Sequence, residues 1–335
     1  MLIDENKRPG GQLFKQIHKF FGSKAHNAGV RGVDIGKELL KETEKSGVEV
    51  WLDSAVVGLF PGNRAAVLRG GVTEVVKAGQ LLISTGASEN SINFPGWTLP
   101  GVMGAGAAQT MINVNRVLPG DRVLMVGSGN VGVIVAYQLL QAGAKVVGIV
   151  EAAPKIGAYG VHAAKVRRAG VPFFLEHTVI RGEGRDRVEK AVICKLSDFK
   201  PIKGTEQEID VDVICIAAGL RPMTELAWMA GVAHDFVPEL GGWMPLHNAN
   251  MESSVPGIYV AGDTAGVEEA NTAMDEGRLA GVGMAHALHC LTDEAAKSKA
   301  EEIRGRLAAL RQGPFGERRL LAKERVIERG QHFGA

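Results

Sequence analysis

The chain has 335 residues, room for about two domains, and its 45% hydrophobic content supports buried cores. A formal charge of +1, with acids and bases mixed along the chain, offers no basic stripe to nucleic acid or an anionic membrane. The start has no signal-peptide pattern and no apolar run reaches bilayer-spanning length, so a cytoplasmic protein without a membrane partner is expected.

The first residues, Met1 to Glu5, read as the end of a buried strand closing on acids, and Gly10, Gly11 and Gln12 follow in a turn-rich stretch. This pattern matches the second strand of a dinucleotide-binding unit. The strand, glycine turn and helix that would precede it, about 20–30 residues, are expected upstream, so the chain begins in mid-fold. Phe14 to Gly32 has no long period and reads as a loop, and His18, Lys19 and His26 in it are either substrate-pocket candidates or solvated loop residues. Val33 to Ser46 has helical spacing with a charged outer face, and β-rich runs follow at Val48 to Val57 and Ala65 to Val76. Gln80 to Thr85 is an apolar strand ending on Thr85-Gly86, where a nucleotide can lie against backbone.

Asp121 to Glu151 carries the strongest pattern. A branched apolar run, Arg122 to Val126, leads into Gly127, Gly129 and Gly132. A helical stretch then ends at Gly143, and a second branched run closes on Glu151. Gly127 permits a tight turn, Gly129 lets backbone approach a pyrophosphate, and Gly132 lets helix pack on strand. Free N–H groups at the helix start favour phosphate. Glu151 lies nineteen residues past Gly132, near the spacing at which an acid reaches an adenosine ribose hydroxyl. A carboxylate there favours NAD over NADP, while Lys155 keeps NADP open. The alternative is the same unit kept as a scaffold without ligand.

Beyond Glu151 the spacing predicts a helix over Tyr159 to Ala169 and strands at Val171 to Phe174, Thr178 to Arg181, Arg187 to Lys195 and Gln207 to Ile216. The last ends near Gly219, repeating the design that ends at Gly86. Cys215 lies inside it and reads as a small buried hydrophobe. With Cys194 and Cys290 far away and no C-x-x-C, no disulfide framework, zinc site, iron–sulfur cluster or redox pair is expected. Val255 to Asp263 is a further strand closing on Gly262-Asp263 and leading to a helix-like Glu268 to Leu288. A carboxylate there can accept hydrogen bonds from sugar or ribityl hydroxyls. His286 and His289 have no third ligand nearby and read as structural, with no metal expected. Thr292 to Ala335, dense in Glu, Arg, Lys and Ala, reads as a surface helix or partner-contacting arm.

Together these motifs resemble the pyridine nucleotide-disulfide oxidoreductase class, over nearly all of residues 1–290. Within it, IDENKRPGGQL, PGWTLPGVMGAGAAQT and VAGDTAGVEEANTAMDEGRLAG are similar to a branch without redox cysteines. That branch holds the sarcosine oxidase α subunit, opine oxidase, hydrogen cyanide synthase and dye-linked proline dehydrogenase subunits. The resemblance implies an α/β fold with two Rossmann-like dinucleotide-binding domains in a glutathione-reductase-like arrangement, the first incomplete at its N-terminus. A split FAD-binding domain would occupy 1–112 and 246–290, an inserted NAD(P)-binding domain 113–245, and a charged tail 291–335. Glu5, Gly86 and Asp263 would serve FAD, and Gly127, Gly129, Gly132 and Glu151 would serve NAD(H). Gly10, Gly11, Gln12, Thr85, Asn130, Val131, Gly219 and Gly262 beside them would also bind cofactor.

The implied activity is that of an FAD-dependent, NAD(H)-linked oxidoreductase, a subunit of an amine or amino-acid dehydrogenase or oxidase complex. It would pass electrons between flavin and nicotinamide or a partner flavoprotein. No acid–base catalytic residue is assigned. The first FAD phosphate turn is not in this chain, and without the iron–sulfur segment that several relatives carry, electron transfer would use another subunit or a diffusible acceptor. Two other readings remain: a structural subunit holding NAD or ATP without flavin chemistry, and a truncated flavoprotein fragment.

Overall fold

The computed structural model describes residues 1–313 and 316–331. It divides into two compact units, one of residues 89–219 and one of 1–88 with 220–335.

The 89–219 unit is built on a five-stranded parallel sheet. Its order is Phe173–Leu175, Lys145–Glu151, Arg122–Val126, Val213–Ile216, Val102–Gly104. Val123, Leu124 and Met125 on the central strand are wholly buried, as a parallel strand covered on both faces must be. One face packs against the Asn130–Ala142 helix through Val133, Ala136 and Leu139. The other packs against an antiparallel layer of His177–Glu183, Lys190–Ser197 and Gln207–Asp210 through Val179, Ala191 and Ile193. The helix ends on Gly143 in the left-handed conformation, φ +103°, which glycine adopts at least cost.

Gln207 to Ile216, expected as one strand, is two. Gln207–Asp210 pairs antiparallel with Lys190–Ser197, while Val213–Ile216 enters the parallel sheet. Asp212 makes the corner, its carboxylate accepting the N–H of Asp121 at 2.9 Å and of Arg122 at 2.8 Å. The apolar run hid a polar hinge.

In the other unit, Ile258–Val260 pairs parallel with Leu81–Ile83, and Leu2–Ile3 pairs parallel with Val50–Trp51. Ser54–Phe60, Arg64–Arg69 and Val72–Lys77 form an antiparallel meander, and His234–Val237 pairs with Gly242–Pro245. Helices Gly32–Lys45, Glu225–Met229, Ala270–Ala287, Asp293–Leu310 and Glu317–Gln331 complete it.

The unit boundaries lie at 88/89 and 219/220, where the sequence reading has 112/113 and 245/246. Val102–Gly104 goes with the middle unit because it is the edge strand beside Val213–Ile216. The 220–245 stretch goes with the outer segments because Ala227 and Val232 share a core with Ile83 and Val260. The described part of the charged tail forms two helices, Asp293–Leu310 and Glu317–Gln331, each with one buried face. Ala300, Ile303 and Leu307 join that same core, and Ala322 and Val326 pack on Val237, Leu240 and Met244. No helix among the described residues is long and apolar enough to cross a membrane.

Candidate functional site

In the 89–219 unit the turn after Arg122–Val126 is fixed by backbone crowding. Gly127 has φ +105°, and a Cβ on it would stand 2.3 Å from the Ala217 carbonyl oxygen. A Cβ on Gly132 would stand 2.2 Å from the Gly127 carbonyl oxygen, so the first turn of the helix lies directly on the loop. Gly129, the N-cap, differs: a Cβ there would meet nothing within 4 Å. The space above it is open, as a closely approaching ligand requires.

Glu151 ends its strand beside this turn and is already engaged. Its Oε2 accepts from the Ser128 N–H at 2.9 Å and the Ser128 hydroxyl at 2.6 Å, and Oε1 accepts from the Ala153 N–H at 2.8 Å. Asn130 Oδ1 accepts the Tyr159 N–H at 3.0 Å, tying the helix start to the following loop. Val131 is 43% exposed on the first turn of that helix. Gly219, φ +96°, follows the neighbouring strand, and its carbonyl accepts the Asn90 N–H. A cavity of about 560 Å³ opens past Glu151, with Lys155, Arg167 and Arg168 on its wall. Glycine turn, acid and neighbouring strand end are thus brought together in one rim.

The second constellation lies in the other unit, where the adjacent strands Leu81–Ile83 and Ile258–Val260 run out together. Thr85–Gly86 follows the first and Gly262–Asp263 the second, with φ +80° at Gly86 and +70° at Gly262. Thr264, wholly buried, joins them. Its Oγ1 accepts the Gly86 N–H at 2.7 Å and lies 3.2 Å from the Thr85 hydroxyl, which donates to the Met223 carbonyl at 2.7 Å. Gly262–Ala265 is a 3-10 turn, and the following helix begins only at Ala270, two residues later than the sequence pattern suggests.

Burial pushes the Asp263 carboxyl up to about 6, helped by the Glu276 and Glu268 carboxylates. A hydrogen bond from the Glu268 N–H and the Lys323 ammonium oppose the rise. The group can accept hydrogen bonds from hydroxyls, and near its midpoint it can also donate one.

Glu5, Gly10, Gly11 and Gln12 stand in a different sheet context, after Leu2–Ile3, which pairs with Val50–Trp51. Glu5, Gly11 and Gln12 are exposed, and Gly10, φ +108°, covers the ring of Phe14. His26 is buried, with Nε2 2.8 Å from Asp275 and Nδ1 2.9 Å from the Ser23 hydroxyl. Its role is to anchor the 14–32 loop, while His18 stacks on Phe20 and Lys19 stays exposed. His286 lies 2.8 Å from Asp293. Among the described residues no group of three or more His, Cys, Asp or Glu could hold a metal. Burial pushes the Cys215 thiol up to about 12, which keeps it protonated and inert.

Sequence reasoning missed Thr264 and the buried charges Glu268, Glu276, Arg311 and Lys323 around the second turn. Their types are visible in the sequence, but nothing in their spacing marks them as buried.

The family described as pyridine nucleotide-disulphide oxidoreductase matches residues 1–277. The hydrogen cyanide synthase subunit HcnB of Pseudomonas protegens is 29% identical over 282 residues, covering 78% of this chain and 60% of that protein. An opine oxidase subunit of Rhizobium meliloti is 28% identical over 305 residues, covering 83% of this chain and 56% of that one. Among solved structures, L-proline dehydrogenase from P. horikoshii has a TM-score of 0.67 at 22% identity. It covers 91% of this chain and 53% of that chain, a likeness of fold. The chain therefore spans between half and two thirds of the length of each of these three proteins.

Proposed function

Because the chain belongs to the pyridine nucleotide-disulphide oxidoreductase family, we propose that this FAD-dependent oxidoreductase works as one subunit of an amine- or amino-acid-oxidising complex. A partner subunit would hold the organic substrate, by likeness to relatives that are themselves named as subunits. One observation carries the reading. Each compact unit ends adjacent parallel strands on a left-handed glycine with a carboxylate at the same rim: Gly127 with Glu151, and Gly86 with Gly262-Asp263.

Residues at both rims support this reading. Above Gly129 and Gly86 a Cβ would meet nothing within 4 Å, which leaves room for close approach by a ligand. Glu151 would accept from a ribose hydroxyl, the helix start at Asn130 would face a pyrophosphate, and Asp263 would accept from flavin side-chain hydroxyls. Bound FAD would supply a two-electron acceptor, and the protein's part is to bind, orient and screen it. The Glu151 carboxylate favours NAD(H), since it repels the extra phosphate of NADP. Lys155, Arg167 and Arg168 in the adjoining cavity are what would support NADP instead.

The test is the visible absorption spectrum of the purified protein, followed by anaerobic NADH. A flavin band that bleaches is the expected result. A flavin band that ignores both NADH and NADPH would remove the nicotinamide link. A colourless protein that still binds NADH would replace the oxidoreductase reading with a nucleotide-binding structural subunit.

A further inference from the structure

Four charges lie buried together behind the Gly262–Ala265 turn. The side chains of Glu268, Glu276, Arg311 and Lys323 are each 8% exposed or less. Arg311 donates to Glu268 through Nε at 2.9 Å and Nη2 at 2.6 Å, and from Nη2 to Glu276 at 2.7 Å. Lys323 Nζ lies 2.7 Å from Glu276 Oε1 and 3.9 Å from Glu268 Oε1. Charges taken out of water are costly, and apolar residues of similar volume often replace such a cluster without loss. Stability alone is therefore a weak reason for its presence.

The cluster's remaining hydrogen bonds supply a better one. Glu276 Oε2 accepts the N–H of Gly262 at 3.1 Å, and Lys323 Nζ donates to the carbonyl of Ala265 at 2.8 Å. Gly262 and Ala265 are the first and last residues of the turn. Between them Thr264 receives the Gly86 N–H. The turn begins on Gly262 at φ +70° and runs into Gly266 at φ +129°, two positive-φ glycines that lend the stretch little intrinsic stiffness.

We propose that Glu276 and Lys323 are positioning residues, an ion pair that grips both ends of the Gly262–Ala265 turn and so holds Asp263 in place for the hydroxyl groups of the bound flavin. The inference rests on the flavin reading of that turn. It gives the helix Glu317–Gln331, which brings Lys323 from far along the chain, a part in cofactor binding through the turn. Arg311 and Glu268 complete the charge balance around the pair.

The test separates grip from fold. Lys323→Met alone strands a buried carboxylate and could prevent folding, so the informative protein is the double variant Lys323→Met with Glu276→Leu, in which both charges leave together. It should melt within about 5 °C of the parent. In flavin-free protein its amides from Gly262 to Gly266 should exchange with deuterium at least roughly tenfold faster. FAD affinity should fall by roughly tenfold or more, with NADH affinity unchanged.

A double variant with parental exchange and parental FAD affinity would overturn the proposal. So would fast exchange of the Gly262 amide in the parent itself, a measurement that needs no variant. Exchange decides the grip without flavin present. A parent that binds no FAD would instead overturn the flavin reading and leave the grip to the exchange result.

Discussion

The two strand-end sites reach a similar form by different means. Around Gly127 the turn is set by contacts between backbone atoms, Gly127 against Ala217 of the neighbouring strand and Gly132 against Gly127, and Glu151 is held by Ser128 of the same turn and by Ala153 two residues on. Around Gly262 it is set by side chains arriving from far away, Thr264 onto Gly86 across 178 residues and Lys323 onto Ala265 across 58. A site made of backbone crowding should fail all at once when a methyl is added. A site made of distant polar contacts should lose its function in steps.

The largest effect is expected where the crowding is tightest. Gly127→Ala adds a Cβ to a residue at φ +105°, 2.3 Å from a carbonyl oxygen that cannot move without the strand Val213–Ile216. Strain and clash together should cost about 4 kcal/mol in denaturant unfolding and abolish NADH binding. Gly62→Ala, also left-handed but with nothing within 4 Å of its Cβ, should cost about 1 kcal/mol and serve as the control. Equal losses in the two would mean that the turn is not held by crowding.

Next in size is a buried carboxylate of the long-range kind. Asp275, with no exposed side-chain surface, lies 2.8 Å from both His26 and Arg278 and 3.0 Å from Arg306. Burial alone would raise its pKa, but hydrogen bonds from Arg306, His26 and Arg278 together hold it below the usual 3.8. A depressed carboxyl contributes stability above its unfolded value and loses it as pH falls through the folded one. Asp275→Asn should therefore cost about 3 kcal/mol at neutral pH, measured by urea unfolding. The gap between variant and parent should close as pH drops below 3.8. A constant gap would assign the loss to packing.

That difference in construction also explains what could be read in advance. Gly127, Gly129, Gly132 and Glu151 were legible because a turn, an open approach and a close packing each need glycine at a fixed offset. The tail carried a readable signal too: Ala296, Ala300, Ile303 and Leu307 recur every three or four residues on one face of Asp293–Leu310. Its high charge drew attention to the solvated face instead. Lys323 carried none, since an amphipathic pattern cannot say that a lysine will meet Glu276 in a dry interior. His26 was visible as a histidine in a loop, but its partner Asp275 lies 249 residues away. The break at Asp212 was masked because Val211 and Val213 extend the apolar run through the corner.

Asp263→Asn sharpens the contrast further, because here function and stability should move in opposite directions. The carboxyl is pushed up to about 6 by burial, so the fold favours its protonated form. The cost of ionising it is absent below 3.8, grows as pH rises, and is complete above about 6. Asparagine removes that cost, so the variant should be more stable than the parent by roughly 2 kcal/mol at pH 7, with the advantage gone near pH 4. FAD binding should weaken at the same time, a trade expected where an acid is kept for function. A variant with unchanged stability at pH 7 would mean that the carboxylate is fully compensated in the fold.

The smallest effect belongs to Glu151, and it bears on whether the site around Gly127 is set by backbone crowding alone. Its carboxylate already receives three hydrogen bonds from the protein, so part of its role is to brace the Ser128 loop. Glu151→Gln keeps an acceptor for that loop and removes the charge that would repel a 2′-phosphate. Lys155 and Arg167 then act unopposed. The ratio of NADH to NADPH affinity should fall by about tenfold, equivalent to about 1.4 kcal/mol, and the change should shrink as salt screens it. An unchanged ratio with weakened binding of both nucleotides would make Glu151 a brace alone. Nucleotide choice would then rest on the Lys155 cavity, and the site around Gly127 would prove to depend on side chains beyond its own motif, as the site around Gly262 does.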